Sequence, residues 1–271
     1  MASKLCRDAL MDDNLQESSE RVVEANKYRS LADYAIYRFH VATYEWASTF
    51  CKNQHVVDYG CGTGYGPAIL GRVARRVDAF DVSPEATSYA SAHYGADNVS
   101  YQTIDGLLPL ESASADVVVS FQVIEHVDPD PYLEEVRRVI RPGGVALFAT
   151  PNRDQRLFPW QKPWNRWHLT EYSPESFTKL LEPYFSSVDL FEVTASPHLM
   201  AAQRARWRRA KLATMPVTLP FIPDFIRRPV LATLSRLDAT TDEAQISDPG
   251  GDVVVTPFAG EGSDILAFAR V

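Results

Sequence analysis

Short apolar runs alternate with polar, helix-forming stretches through the middle of this 271-residue chain. The runs have the length and the β-branched content of strands that are buried on both faces of a parallel sheet. They begin at Val56, Val77, Val99, Asp116 and Gly144. Strands that alternate with helical segments are typical of a doubly wound α/β sheet, which we therefore predict for the middle of the chain.

The two ends of the chain follow other patterns. Residues 1–20 are polar and acidic, and we expect them to be disordered. The next thirty residues or so are aromatic and helical in pattern, which predicts an N-terminal helical cover. We predict one domain built from residues 21–194 and 263–271. Residues 195–262 leave the strand–helix alternation, and we interpret them as an insertion that either caps the active site or makes a homodimer contact.

Composition excludes several classes of protein. A net charge of −8 argues against a nucleic-acid partner, which requires a basic footprint. No apolar run has the length of a membrane span, and the N-terminus lacks the pattern of a signal peptide. The three cysteines, Cys6, Cys51 and Cys61, have neither paired nor zinc-ligand spacing. We therefore expect a reduced, cytoplasmic setting.

A glycine-rich turn follows the first predicted strand. Gly60, Gly62 and Gly64 alternate with other residues, and glycine allows both positive φ angles and close approach of a ligand. The dinucleotide-binding fingerprint would require a further glycine at one of two positions, which are occupied by Tyr65 and Pro67. The turn therefore predicts a small-molecule cofactor other than a dinucleotide.

The pattern Asp58-x-Gly60-x-Gly62-x-Gly64 resembles the first motif of class I S-adenosylmethionine-dependent methyltransferases. The resemblance implies that Asp58 organises the loop and contacts the amino-acid end of the cofactor. Asp81 ends the second strand, where an acid is placed to accept hydrogen bonds from the ribose hydroxyls.

The later strand ends complete this predicted cofactor site. The resemblance implies that Asp105, at the end of the third strand, accepts a hydrogen bond from the adenine amino group. It also implies that the backbone near Gly106 and Gln122 contributes to S-adenosylmethionine binding.

The chemistry is expected directly after the fourth strand, where the chain reads Val-Ile-Glu-His-Val. Methyl transfer to a hydroxyl benefits from a base, and histidine titrates near neutrality. We predict that His126 is this base, with Glu125 orienting it or contacting substrate. The alternative is a structural histidine that pins the loop. The run resembles that of quinone and sugar O-methyltransferases; in the quinone enzymes the Glu-His pair takes part in metal binding, so metal dependence stays open.

A loop rich in tryptophan follows the fifth strand, between residues 157 and 172. Flat aromatic rings beside hydrogen-bonding side chains would suit a sugar ring, and a quinone would also stack there. The spacing Asn-x-x-His-x-x-Glu-Tyr is typical of a methyltransferase subfamily in which this loop closes over the acceptor. The predicted substrate residues are Trp164, Asn165, Arg166, His168 and Tyr172.

From about residue 28 to 194 the chain resembles actinobacterial and mycobacterial sugar O-methyltransferases of polymethylated (methylmannose) polysaccharide biosynthesis. The resemblance implies a Rossmann-like sheet of seven strands, the last antiparallel and beside the fifth. It also implies O-methylation of a sugar or short oligosaccharide, with a partly methylated mannoside as the particular expectation. Three alternatives remain: a quinone or phenol O-methyltransferase, a small-amine N-methyltransferase, and a non-catalytic cofactor-binding module.

Overall fold

The computed structural model describes residue 28 and residues 30–238 and 252–271. Its strands are β1 (His55–Tyr59), β2 (Arg76–Asp81), β3 (Val99–Thr103), β4 (Ala115–Phe121), β5 (Ile140–Pro151), β6 (Ser187–Ala195), β7 (Val253–Pro257) and β8 (Asp264–Arg270). They form one sheet in the order β3-β2-β1-β4-β5-β8-β6-β7. The predicted disordered tail, residues 1–20, lies outside the described residues.

Helices cover both faces of this sheet. They are α1 (Leu31–Ser48), α2 (Tyr65–Gly71), α3 (Pro84–Tyr94), α4 (Pro129–Val139), α5 (Arg153–Arg156), α6 (Pro174–Leu181), α7 (Pro197–Thr214) and α8 (Asp224–Asp238), with a 3₁₀ turn at Met215–Val217. Ser83 and Ser173 accept hydrogen bonds from backbone N–H groups of the first turns of α3 and α6. Proline follows each serine, so both helix starts agree with their sequence signals. Within the described residues, no helix is long and apolar enough to cross a membrane.

The topology confirms the predicted α/β class. Strands β1 to β5 are parallel to one another, and β8 runs antiparallel beside β5. The sheet has eight strands instead of seven, because the β-branched run Val253–Pro257 pairs with β6 inside the predicted insertion. Strand β5 also starts earlier than predicted, at Ile140, with a shift of register between Ala115 and Val117 on β4.

The core consists of two apolar layers, one on each face of the sheet. Side chains alternate across a strand, so Val56 joins the layer under α1 while Val57 joins the opposite layer. Phe39 of α1 belongs to the first layer, and Leu133 of α4 and Phe177 of α6 belong to the second. Packed from both sides, the parallel strands place their carboxyl ends along one edge of the domain.

A polar cluster ties the opposite edge of the sheet together. The ring of His55 bonds to Asp78 through Nε2, at 2.8 Å, and to the carbonyl of Ser114 through Nδ1, at 2.9 Å. The hydrogen bond to Asp78 raises the pKa of His55 above its ordinary value. Burial opposes ionisation of Asp78, but hydrogen bonds from His55, Ser100 and Arg76 lower its pKa.

We expect His55→Gln to lower the free energy of unfolding by roughly 1–2 kcal/mol near pH 6, because a charged hydrogen bond is lost. A raised pKa means that the ionised histidine stabilises the fold fully below about pH 6.5, its unfolded value, and that this contribution fades as pH rises through the folded value. Urea titrations between about pH 5.5 and 9 should show wild type and variant converging. The exposed His198 of α7, changed to glutamine, is the control; a pH-independent difference for His55→Gln would contradict the assignment.

Candidate active site

The glycine turn after β1 is held against β2 by backbone hydrogen bonds. Gly60, Gly62 and Gly64 have φ angles of 97°, 54° and 92°, a region that glycine tolerates best. The N–H groups of Gly60 and Cys61 donate to the carbonyl oxygen of Phe80 at 2.7 and 2.9 Å. The turn therefore leaves β1 in a fixed direction, towards the N-terminus of α2.

The turn also joins the two acids predicted for cofactor binding. Asp81 accepts hydrogen bonds from the N–H groups of Gly62 and Ser83, each at 2.9 Å and each at a different carboxylate oxygen. A carboxylate has about four acceptor positions, so Asp81 keeps acceptor capacity for a ligand. The structure thus places Asp81 at the end of β2 and against the glycine turn, as a ribose-binding role requires.

Asp58 is fully buried at the end of β1. Its Oδ2 accepts a hydrogen bond from the Tyr44 hydroxyl of α1 at 3.0 Å, while its Oδ1 has no hydrogen-bond partner among the described residues. Burial raises the pKa of Asp58 to about 8, and the hydrogen bond from Tyr44 opposes that shift. A ligand ammonium beside Oδ1 would favour the ionised form. The amino-acid end of S-adenosylmethionine carries such a group, so this acid fits the cofactor.

The remaining predicted cofactor residues lie on loops after β3 and β4. Asp105 is exposed, and Gly106, with φ of 118°, accepts a hydrogen bond from the Tyr59 hydroxyl. Gln122 has a positive φ of 58°, which turns the chain sharply at the end of β4. Its side chain donates to Asp264 of β8 at 2.9 Å. Both loops stand at the carboxyl edge of the sheet, on either side of β1.

The turn after β4 presents Glu125 and His126. Glu125 is buried, and its Oε2 accepts a hydrogen bond from the Thr150 hydroxyl at 3.1 Å. His126 is half-buried, and its Nδ1 lies 3.3 Å from the carbonyl oxygen of Trp167. A carbonyl only accepts, so Nδ1 carries the proton and Nε2 keeps a lone pair. This tautomer is the one that a general base requires.

His168 is buried beside His126, with the two ring centroids 4.8 Å apart. Its Nδ1 donates to Glu171 at 2.9 Å, and its Nε2 accepts from the Asn165 amide at 2.9 Å. Arg156 binds both oxygens of Glu171, at 3.0 and 3.1 Å. Burial opposes ionisation, but the charge of Arg156 and the bonds from His168 and Arg156 lower the pKa of Glu171 to about 2. The predicted Asn-x-x-His-x-x-Glu residues therefore form one oriented network.

Glu125, His126 and His168 form a metal-capable cluster within the described chain. Each offers a ligand atom, and these atoms lie within 4.8 Å of one another. One carboxylate and two imidazoles suit a divalent transition metal or zinc. The Asn165 amide, however, occupies the His168 Nε2 lone pair, and its own oxygen accepts from the Trp167 N–H at 3.1 Å. Metal binding would require this amide to move.

The aromatic residues of the loop divide into buried and exposed groups. The ring of Trp164 packs against the core, with the Arg156 guanidinium 4.4 Å from its centroid. Trp160 and Trp167 are 47% and 46% exposed, and Arg166 stacks on the Trp167 ring. Of the five predicted substrate residues, His168 lies against His126, Asn165 bonds to His168, and Arg166 stacks on Trp167, whose carbonyl contacts His126. Tyr172 does not join them, because its ring is buried against Phe177 in the core.

The segment 195–262 docks onto this loop. The Gln161 side chain donates to the Thr218 hydroxyl at 2.8 Å and to the Lys211 carbonyl at 3.0 Å. The buried guanidinium of Arg227, from α8, donates to the Pro163 carbonyl. The loop and the helices α7 and α8 therefore pack as one unit.

Three sets of residues at the site were not singled out from the sequence. Tyr44 was part of an aromatic helical pattern, and nothing in that pattern marked it as the partner of Asp58. Arg156 and Glu171 orient His168, and the only sequence signal was the spacing of Glu171 from His168. Trp167 was noted among the three tryptophans but was not singled out, although its carbonyl fixes the His126 tautomer.

A doubly wound sheet with an antiparallel last strand, a glycine turn after β1 and an acid ending β2 defines a Rossmann-like methyltransferase fold. Comparison with known proteins agrees: residues 57–148 match the family model described as a methyltransferase domain. That match covers about a third of the chain, and curated relatives of the same region are described as S-adenosylmethionine-dependent methyltransferases.

Two curated relatives extend the comparison. A probable S-adenosylmethionine-dependent methyltransferase of Mycolicibacterium smegmatis is 38% identical over 147 residues, covering 54% of this chain and 57% of that protein. A ubiquinone biosynthesis O-methyltransferase of Albidiferax ferrireducens is 30% identical over 122 residues, covering 42% and 48%. The chain therefore spans about half to three fifths of the length of these relatives. Among solved structures, the [4+2]-cyclase SpnF has the same fold, with a TM-score of 0.57, 15% identity and coverage of 96% and 92%.

The glycine turn yields a matched pair of variants. A Cβ at Gly64 would lie 2.3 Å from the Ala90 Cβ, so we expect Gly64→Ala to lower the free energy of unfolding by roughly 3 kcal/mol through overlap and strain. A Cβ at Gly62 meets nothing within 4 Å, so Gly62→Ala should cost only about 1 kcal/mol. The space beside Gly62 is where the cofactor would approach. The Kd of the Gly62→Ala variant for S-adenosylmethionine should therefore rise at least tenfold, as measured by calorimetry. Unchanged affinity in Gly62→Ala would place the cofactor elsewhere.

Proposed function

We propose that this protein transfers a methyl group from S-adenosylmethionine to a hydroxyl of a sugar or short oligosaccharide, with a partly methylated mannoside as the first acceptor to test. The observation that carries the proposal is the contact between His126 and Trp167. It puts the His126 imidazole, held through Nδ1, beside a half-exposed aromatic ring and the polar groups of Asn165 and Arg166. Sugar sites combine such rings with hydrogen-bonding side chains.

In this mechanism the residues at the strand ends hold the cofactor, which supplies an electrophilic methyl group on a sulfonium sulfur. Asp58 would hold the amino-acid end of the cofactor and Asp81 its ribose. Asp105 would accept a hydrogen bond from the adenine amino group, and the backbone near Gly106 and Gln122 would complete the site. The acceptor hydroxyl would lie against Nε2 of His126, which would take its proton as the carbon–oxygen bond forms and the methyl–sulfur bond breaks, leaving S-adenosylhomocysteine. The Trp167 carbonyl holds Nδ1–H and so stabilises the resulting imidazolium.

A quinol or phenol acceptor is the second candidate. The similarity to a ubiquinone biosynthesis O-methyltransferase favours it, and a planar phenol could stack on the same exposed ring. A phenol ionises more readily than a sugar hydroxyl, so it depends less on a base. The two candidates therefore differ in how strongly they require His126.

The direct test is S-adenosylhomocysteine release from the purified chain with a panel of acceptors, in the presence and absence of EDTA. The panel pairs short mannosides and glucosides, bare and partly methylated, with catechols and quinols. Turnover confined to a sugar supports the proposal, and turnover confined to phenols overturns it. Loss of turnover in EDTA that Mg²⁺ or Zn²⁺ restores would assign Glu125 and His126 to a metal.

His126→Ala should lower kcat on a sugar acceptor by about 10² or more, because the hydroxyl then loses its proton acceptor. The Kd for S-adenosylmethionine should stay within about threefold of wild type, since His126 does not hold the cofactor in this proposal. Steady-state kinetics and calorimetry measure the two quantities. Near-normal kcat would refute the base assignment and point to an N-methyltransferase or a phenol acceptor.

Trp167→Ala keeps the backbone carbonyl that binds His126 and removes only the ring. We expect the KM for the acceptor to rise about fivefold, with kcat changed by less than about twofold, because stacking contributes about 1 kcal/mol to binding. Trp160→Ala is the matched control, since that ring is equally exposed but stacks on Phe158 instead. Equal effects of the two changes would remove Trp167 from the acceptor site.

A further inference from the structure

The segment after β6 carries a charge opposite to that of the whole chain. Between residues 193 and 237 it has eight Lys and Arg residues and a single acid, Asp224, in a protein whose net charge is −8. That acid is already engaged, because Arg227, Arg228 and Lys162 lie 3.0, 3.8 and 3.6 Å from its oxygens. Arg227 is buried and Arg228 pairs with Asp224, so the exposed positive charge of this segment lies on α7, at Arg204, Arg208 and Arg209. This gives α7 a cationic surface on an otherwise acidic protein.

The same segment exposes large apolar side chains. Phe221 and Phe225 are 75% and 78% exposed, in a turn that prolines at 220 and 223 stiffen. We define the apolar rim as these two residues together with Leu212, Met215, Ile226 and Val230, all of which are exposed. The rim spans the end of α7, the 3₁₀ turn and the start of α8, which contact one another.

Exposed arginines of α7 lie on the same side of the helix as Leu212, a member of the apolar rim. Arg204, Arg208 and Leu212 are four residues apart on α7, so they follow one stripe along the helix, and all three are exposed. On α8, Ile226 and Val230 share a stripe in the same way. The arginine stripe thus ends at Leu212, a member of the apolar rim. Exposed cations beside exposed apolar side chains are typical of an interfacial surface, where apolar groups enter the headgroup region and cations meet anionic lipids.

We propose that the apolar rim and the arginine stripe of α7 bind this protein to the surface of an anionic lipid bilayer. The charge complementarity favours a bilayer over a second copy of the chain, because a symmetric dimer through this surface would bring the arginine stripes of both copies to one interface. Monomeric proteins rarely expose a large apolar patch without a binding role. Since the segment is docked on the tryptophan loop through Gln161 and Arg227, binding there would hold the predicted acceptor site near the bilayer.

The test is co-sedimentation of the full chain with vesicles, with no acceptor or methyl transfer involved. Vesicles of phosphatidylcholine alone are compared with vesicles containing about one third phosphatidylglycerol, at low salt and at about 0.5 M salt. We expect binding to the anionic vesicles only, with marked weakening at high salt. Failure of the wild-type chain to bind them overturns the proposal.

Variants separate the two components of the surface. Phe221→Ser combined with Phe225→Ser should weaken vesicle binding at least about tenfold. Arg204→Gln combined with Arg208→Gln should weaken it and reduce the salt dependence. The matched control is Val73→Ser combined with Val254→Ser, two exposed apolar residues outside the rim, which should bind like wild type.

Two checks keep the outcomes distinct. Thermal melting and the Kd for S-adenosylmethionine should be the same for all three double variants, which shows that they fold. Light scattering measures the mass of the chain without lipid. A dimer that the phenylalanine variant dissociates, together with no vesicle binding, would assign the rim to a second copy and overturn the bilayer proposal.

Discussion

The glycine turn between β1 and α2 is the constraint on which the site depends. Its positive φ angles direct the N–H groups of Gly60 and Cys61 onto one carbonyl of β2, and Gly62 onto Asp81. These bonds fix the spacing between the first two strand ends, where the two acids lie. Because the turn is backbone-defined, the positions of the acids follow from the sheet and do not depend on flexible side chains.

The N-terminal helix α1 packs over Asp58 and the glycine turn. Tyr44 donates its hydroxyl to Asp58 and packs its ring on Tyr65 and Phe121, so a buried carboxyl is shielded by aromatic rings on most sides. A Cβ at Gly66 would collide with the Tyr44 ring, which shows how closely the helix approaches the turn. The helix therefore contacts both Asp58 and the glycine turn and is more than a cover for the sheet.

The fold was predictable because parallel strands leave few arrangements open, and their carboxyl ends must meet at one edge. The sequence order of Asp58, Asp81 and Glu125 was therefore enough to place them together. The contact between His126 and His168 was less predictable. His168 lies on a loop, and the path of that loop depends on its contacts with α7 and α8. The spacing of Tyr172 from His168 likewise does not reveal that the Tyr172 ring turns into the core against Phe177. Strand β7 was not predicted from the sequence. It lies at the edge of the sheet and pairs only with β6, inside the segment that was predicted to be an insertion.

The hydrogen bond from His126 to the main-chain oxygen of Trp167 has an evolutionary consequence. The main-chain oxygen is present whatever side chain occupies position 167. The exposed ring that we propose contacts the acceptor can therefore change without removing the hydrogen-bond partner of His126 Nδ1. Selection for a new acceptor and selection for an active base would then act on separable parts of one residue. Divergence of acceptor preference within a single chemistry becomes accessible by one-step changes.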